Sequence, residues 1–227
     1  MMKYKGIIFD FNGVLLWDAP LHEQAWQATA AQLSGAELSD DEFAIHVHGR
    51  TNTHILSYLT GRTLSGKELL DLIQVKETMY RSLCLNNPDM FVLSPGAKAL
   101  LEFVSISDIP RTIATSSERT NLDFFIHHLE LGKWFDLQQI VYDDGFLPGK
   151  PAPDMYSKAA ANIHLTPHEC IVVEDAISGF KSAHAAGIGH IVGLGPREAH
   201  GKLLACEGVT TVIESFEQFP REMLLQA

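Results

Sequence analysis

Short apolar runs rich in β-branched residues recur along the chain: GIIFDF (6–11), RTIATSS (111–117), QIVYDD (139–144), CIVVEDA (170–176), GHIVGLG (189–195) and VTTVIES (209–215). Each has the length and composition of a strand buried on both faces. Between the later runs lie segments with apolar residues at helical spacing. NLDFFIHHLELG (121–132) ends in glycine, a common helix stop, and ISGFKSAHAAG (177–187) does the same. PDMYSKAAANI (153–163) opens on Pro153, which suits a first helical turn. Strands alternating with helices predict an α/β fold, a parallel sheet covered on both faces.

Residues 17–93 break this rhythm. They hold almost no strand-like run and several helical ones, such as PLHEQAWQATAAQL (20–33) and KELLDLIQVKETMYRSL (67–83). LSPGAKALLEFV (93–104) then resumes the α/β pattern, with Pro95-Gly96 as the re-entry turn. The expected organisation is an α/β core domain (1–16 and 94–227) carrying an inserted α-helical domain (17–93). No internal repeat or low-complexity tract interrupts it.

Composition narrows the picture. Hydrophobic residues make up 46% of the 227, enough to bury a real core. No apolar run reaches the roughly 18–20 residues of a membrane span, and MMKYKGIIFDF lacks the features of a signal peptide. The expectation is a cytoplasmic monomer with no membrane partner. The formal net charge of −11 repels phosphate backbones and argues against nucleic acid. An anionic substrate therefore needs a local positive site. Cys84, Cys170 and Cys206 are too few and too scattered for a disulfide framework or a zinc site. Cys170 starts a strand and reads as a small core residue. HVH (46–48) and HH (127–128) do not share a helix face as ligand pairs would. GIGHIVGLG lacks the spacing of a dinucleotide loop.

Open parallel sheets bind ligands beyond the carboxyl ends of their strands. The first strand ends in Asp10 and Asn12, the second in Thr115, Ser116 and Ser117, and the fourth in Glu174 and Asp175. Lys150 follows the third, in GKPAPD. Hard carboxylate oxygens suit Mg²⁺, which is usually completed by a substrate phosphate. A lysine and hydroxyls can hold the remaining phosphoryl oxygens. A carboxylate facing that phosphate can act as nucleophile.

The order and spacing of DFNGV (10–14), ATSS (114–117), GKPAPD (149–154) and VVEDAISG (172–179) resemble the haloacid dehalogenase-like superfamily, with its Rossmann-like core. The insertion, with PLHEQAW (20–26) and HGRT (48–51), looks like the helical cap of the β-phosphoglucomutase-like branch. The resemblance implies an aspartyl-phosphate enzyme acting on small phosphate esters. Asp10 would be nucleophile and Mg²⁺ ligand, with the carbonyl of Asn12, Asp175 and, directly or through water, Glu174 as further ligands. Thr115 and Lys150 would hold the phosphoryl group. Gly49, Ser116 and Ser117 would line the substrate pocket. His22, Arg50 and Arg119 are candidates for the substrate side.

Asn12 departs from the pattern. Phosphatases and mutases of this superfamily carry there a second aspartate, the general acid/base, and its loss typically costs about 10²–10⁴ in rate. Three readings stay open: a substitution that traps a complex, a natural change with another group such as His22 moving the proton, or lost catalysis in favour of binding. The superfamily's mutases place a cap arginine for a second phosphate near Asn52, whereas Arg50 sits where phosphatases of the branch carry Gly-Arg. The preferred expectation is thus a Mg²⁺-dependent phosphatase of a sugar phosphate or similar metabolite. A mutase-type phosphotransferase and a non-catalytic phosphate-ligand binder are the alternatives.

Overall fold

The computed structural model describes residues 4–225. Its six strands are β1 (Gly6–Phe9), β2 (Arg111–Glu118), β3 (Val141–Asp143), β4 (Cys170–Glu174), β5 (His190–Leu194) and β6 (Val209–Ile213). They form one parallel sheet in the order β3-β2-β1-β4-β5-β6. The strand order reverses at β1, which pairs with β2 on one side and β4 on the other. That reversal opens a crevice at the carboxyl ends of β1, β2 and β4. All six apolar runs of the sequence become strands.

The helices are α1 (Ala19–Ser34), α2 (Asp40–Glu42), α3 (Asn52–Thr60), α4 (Gly66–Asn86), α5 (Ala97–Ile106), α6 (Arg119–His128), α7 (Asp154–Asn162), α8 (Ile177–Ala185) and α9 (His200–Leu204). A π-helical turn, Phe43–Val47, continues α2. Strand alternation divides the core between the two sheet faces. Ile7, Phe9, Ile171 and Val173 join one apolar cluster, while Ile8, Cys170 and Val172 join the other. Cys170 is thus a packed core residue, as its strand position implied.

The segment between β1 and α5 is helical and has an apolar cluster of its own around Trp26, Phe43, Ile55, Leu56 and Ile73. Its two connections to the sheet lie side by side: Leu16 bridges Leu93, and the Ser94 amide donates to the Leu15 carbonyl at 2.9 Å. One expected stop is displaced. The helix read as 121–132 ends at His128, and Glu130, not Gly132, takes the left-handed conformation, with φ 51°. Leu131 and Phe135 turn into the core there, so packing ends the helix before the glycine is reached.

Candidate active site

Backbone geometry at the sheet edge admits only certain residues. Gly13 has φ 78°, and a Cβ there would lie 2.1 Å from an Asp175 carboxylate oxygen. A Cβ at Gly179 would lie 1.7 Å from Glu174 Oε1. Both glycines let the acids of β4 approach neighbouring backbone closely.

Asp10, Glu174 and Asp175 offer carboxylate oxygens within 4.8 Å of one another. Lys150 reaches them from below, its Nζ 2.5 Å from Asp10 Oδ1 and 2.6 Å from Glu174 Oε1. Tyr156 also donates to Glu174 Oε1, at 2.9 Å, and the amides of Asp175 and Ala176 donate to Oε2. Both Glu174 oxygens are therefore engaged, and in this arrangement the residue orients Lys150. Burial pushes the Asp10 carboxyl up to about 7; Lys150 opposes the shift and Glu174 adds to it. Burial, then Glu174 and Asp10, raise Asp175 well above the usual carboxylate range. Burial alone would lower the Lys150 ammonium, but Asp10 and Glu174 outweigh it and the net shift is upward. One buried cation thus faces three acids. Hard oxygens with this excess of negative charge fit a divalent cation such as Mg²⁺.

Above this cluster is a cavity of about 100 Å³ between the sheet edge and the helical segment. Asp10, Asn12, His22, Gly49, Arg50, Thr115, Ser116, Ser117 and Asp175 all line it. Lys150 and Glu174 lie behind its wall, fully buried as side chains. Thr115 accepts the Ser117 amide at 3.1 Å. The Ser116 hydroxyl donates to the Gly49 carbonyl at 2.9 Å, and Ser178 donates to the His48 carbonyl at 2.8 Å. Arg50 Nη1 donates to the Lys150 carbonyl at 3.3 Å, and Nη2 lies 3.0 Å from His54. Loop 48–50 is thereby fastened to the end of β2, the start of α8 and the loop that carries Lys150. Arg119 does not line the cavity; its guanidinium is exposed and pairs with Asp123 one turn along α6, at 2.8 Å. Its position at the start of α6 turns it outward, and the structure does not bring it together with the other candidates.

Asn12 is fully engaged. Its Nδ2 donates to Asp18 Oδ2 at 2.7 Å and to the Tyr80 hydroxyl at 3.3 Å, while its Oδ1 accepts from the Ser117 hydroxyl at 2.8 Å. Asp18 is completely buried and also accepts from Tyr80 and, at 3.1 Å, from the Gly13 amide. Burial pushes its carboxyl up to about 6 against those hydrogen bonds. An aspartate at position 12 would set a second carboxylate against this one. His22 stacks on Tyr80 and accepts from Lys76 at Nδ1, 3.3 Å away. Burial, then Lys76, push its pKa well below 6.5, so the ring is neutral and its proton lies on Nε2. That Nε2 is buried without a hydrogen bond; Asp18 is 3.4 Å away and out of line.

Asp18, Trp26, Asn52, Lys76 and Glu77 line the cavity without having been singled out in the sequence. A signal for the last two was present. Ile73, Glu77, Tyr80 and Cys84 recur every three or four residues on α4, Lys76 lies beside Glu77, and all five are buried. Two charges on such a stripe mark a polar site inside an apolar face.

Residues 4–187 match the haloacid dehalogenase-like hydrolase family. The chain is 30% identical to hexitol phosphatase A of Escherichia coli, over 96% of this chain and 94% of that protein. It is 27% identical to the phosphorylated carbohydrates phosphatase of Thermotoga maritima, over 94% and 95%. Among solved structures, a HAD hydrolase of family IA, variant 3, from Entamoeba histolytica superposes with a TM-score of 0.84 at 36% identity, covering 97% of each chain. A putative β-phosphoglucomutase from Bacteroides vulgatus gives 0.78 at 26%, over 98% of this chain and 89% of that one. With Asp10, Lys150, Glu174 and Asp175 gathered at the switch point of its parallel sheet, the chain belongs to the haloacid dehalogenase-like hydrolases.

Proposed function

We propose that the protein is a Mg²⁺-dependent phosphatase of small phosphorylated metabolites of the sugar-phosphate kind, working through an aspartyl-phosphate on Asp10. The observation that carries the reading is the cluster of three acids, two of them paired with one buried lysine, beside the cavity. The named activities of the phosphatase relatives support the substrate class. Residues 17–93 act as the cap, and the protein works as a cytoplasmic monomer.

Bound Mg²⁺ would neutralise phosphoryl charge and align the ester; Asp10, Asp175 and the Asn12 carbonyl would hold it. Lys150 opposes the protonation that burial favours and donates to Asp10 Oδ1, which would leave Oδ2 to attack phosphorus. The ester P–O bond breaks and the alkoxide takes its proton from water. Water then attacks the same phosphorus, releasing inorganic phosphate and restoring the Asp10 carboxylate. Thr115, at the end of β2, offers its hydroxyl to the phosphoryl oxygens. Loop 48–50 shields the site from bulk water.

Asn12 gives no proton to the departing alkoxide, so turnover is slow, by about 10²–10⁴ relative to an aspartate there. Its complete set of hydrogen bonds favours one second reading, a binder that holds phosphate esters without turning them over. Phosphate release from a panel of phosphomonoesters, with Mg²⁺ and with chelator, separates the two. It is run on this chain, on Asn12→Asp and on Asn12→Asp/Asp18→Asn. Turnover that requires metal in any of the three supports the enzyme. Saturable ester binding with background turnover in all three supports the binder.

A further inference from the structure

α4 belongs to the helical segment and α6 to the sheet domain, and one buried amide joins them. Asn121 of α6 is 1% exposed. Its Nδ2 donates to Glu77 Oε2 at 2.6 Å, and its Oδ1 accepts from Arg81 Nη1 at 2.7 Å. The amide orientation follows from the charges, amino group to the carboxylate and carbonyl to the guanidinium. Each bond has an ion as one partner and is of the stronger kind. The other oxygen of Glu77 is held within the helical segment, by Lys76 at 2.9 Å and Asn52 at 2.8 Å. Only Oε2 bonds across to the sheet domain.

Glu77 and Arg81 are four residues apart on α4, acid first, the order that favours a bond along one helix face. Here each bonds Asn121 instead. The two charges thus have two ways to be satisfied. With α4 seated on α6, the amide serves both. With α4 lifted away, they reach each other on the helix surface, and neither is left bare. Another charge works against the seated arrangement. Burial, then the Glu77 carboxylate, raise the Glu118 carboxyl at the end of β2. An acid of the sheet domain therefore repels Glu77 as it docks. Loop 48–50 has no such alternative. It meets Ser116 and Ser178 through backbone carbonyls, which on release bond to water. Asn121 and Arg81 lie outside the cavity, whereas Glu77 lines it.

Resting on the reading of residues 17–93 as a cap, we infer that Asn121 is a positioning residue: it latches the cap over the sheet edge, and Glu77 and Arg81 exchange it for each other when the cap opens. The latch sets the share of molecules that are closed before an ester arrives. It takes no part in the chemistry at phosphorus.

Small-angle X-ray scattering of the full chain, without metal or ester, is paired with hydrolysis of p-nitrophenyl phosphate in Mg²⁺. Asn121→Ala removes both closed-state bonds. The expected result is a larger radius of gyration and a KM raised about 10-fold, with kcat within about twofold, because binding must first close the cap. Adding Arg81→Met removes the partner that Glu77 finds in the open state. The double variant is therefore expected to be more compact than Asn121→Ala and to recover at least about threefold in KM. A contact that only stabilised the fold would lose further on the second change. Equal radii for this chain and Asn121→Ala overturn the inference, as does a double variant no more compact than the single one. A larger radius with an unchanged KM overturns the positioning role. The scattering comparison needs no turnover, so absent hydrolysis throughout counts against the phosphatase reading alone. Should Asn121→Ala fail to fold by circular dichroism, Asn121→Asp takes its place; it keeps the shape, sets an acid against Glu77 and is expected to open the cap likewise.

Discussion

The sheet edge and the helical wall of the cavity both bury charge, but they do so by different means. At the sheet edge, Asp10, Glu174 and Asp175 arrive at strand ends, and one lysine serves two of them. The acids outnumber the cation, so the site is left charged and suited to draw in metal and phosphate. On the helical wall, Lys76 and Glu77 balance each other, and the remaining groups are amides, an aromatic ring and a neutral histidine. One side of the pocket carries an excess of negative charge and the other balances its charges. The contrast lies in charge balance: an acid-rich edge that would need a cation, and a wall that is already neutral.

The largest test of that contrast is Asp10→Ala. Removing the nucleophile is expected to lower kcat by at least about 10⁴-fold, while Lys150 keeps Glu174 as partner and the fold persists, as thermal melting would register. Next is Lys150→Met, which leaves Asp10 and Glu174 facing each other without a cation. Breaking a buried pair in this way costs about 3–5 kcal/mol, readable by urea unfolding, whereas an exposed pair such as Lys67–Asp71 contributes far less.

A third test lies at the junction of the two regions. Asn12→Asp and Asp18→Asn each remove a matched donor–acceptor contact and are expected to destabilise by about 1–3 kcal/mol. Together they restore an amide facing a carboxylate, so the double variant costs less than the sum by about 1 kcal/mol or more in a double-mutant cycle. Additive losses would show that the pair is not coupled. Weaker still is Arg119→Ala, for which kcat/KM within about twofold of this chain is expected, since the exposed side chain pairs with Asp123 and packs over the Tyr142 ring outside the cavity. Thiol titration gives the smallest effect. Burial pushes the Cys84 and Cys170 thiols up to about 12, so only Cys206 should react at neutral pH in the folded protein.

The strands were legible because each apolar run is short, β-branched and closed by polar residues. Parallel topology then carries those polar ends to one edge, so Asp10, Thr115, Lys150, Glu174 and Asp175 could be grouped from the sequence. Arg119 shows where the reasoning stops. It sits one residue beyond β2, but helix phase turned its side chain to solvent. Gly132 shows the same limit, since packing of Leu131 and Phe135 ended α6 earlier than the glycine suggested.

What the sequence determined by itself is the α/β order, the helical insertion and the acids and lysine at the strand ends. Local period and strand polarity are properties of neighbouring residues, so they survive without the rest of the fold. Only the tertiary structure decided that Asn12 faces Asp18 and that Glu77 gathers donors from α3, α4 and α6. The Glu77 contacts to Asn52 and Asn121 join residues 25 and 44 positions apart, and the second forms only where the helical segment lies against α6. The hydrogen bonds available to each group are set by that meeting and not by its own stretch of chain.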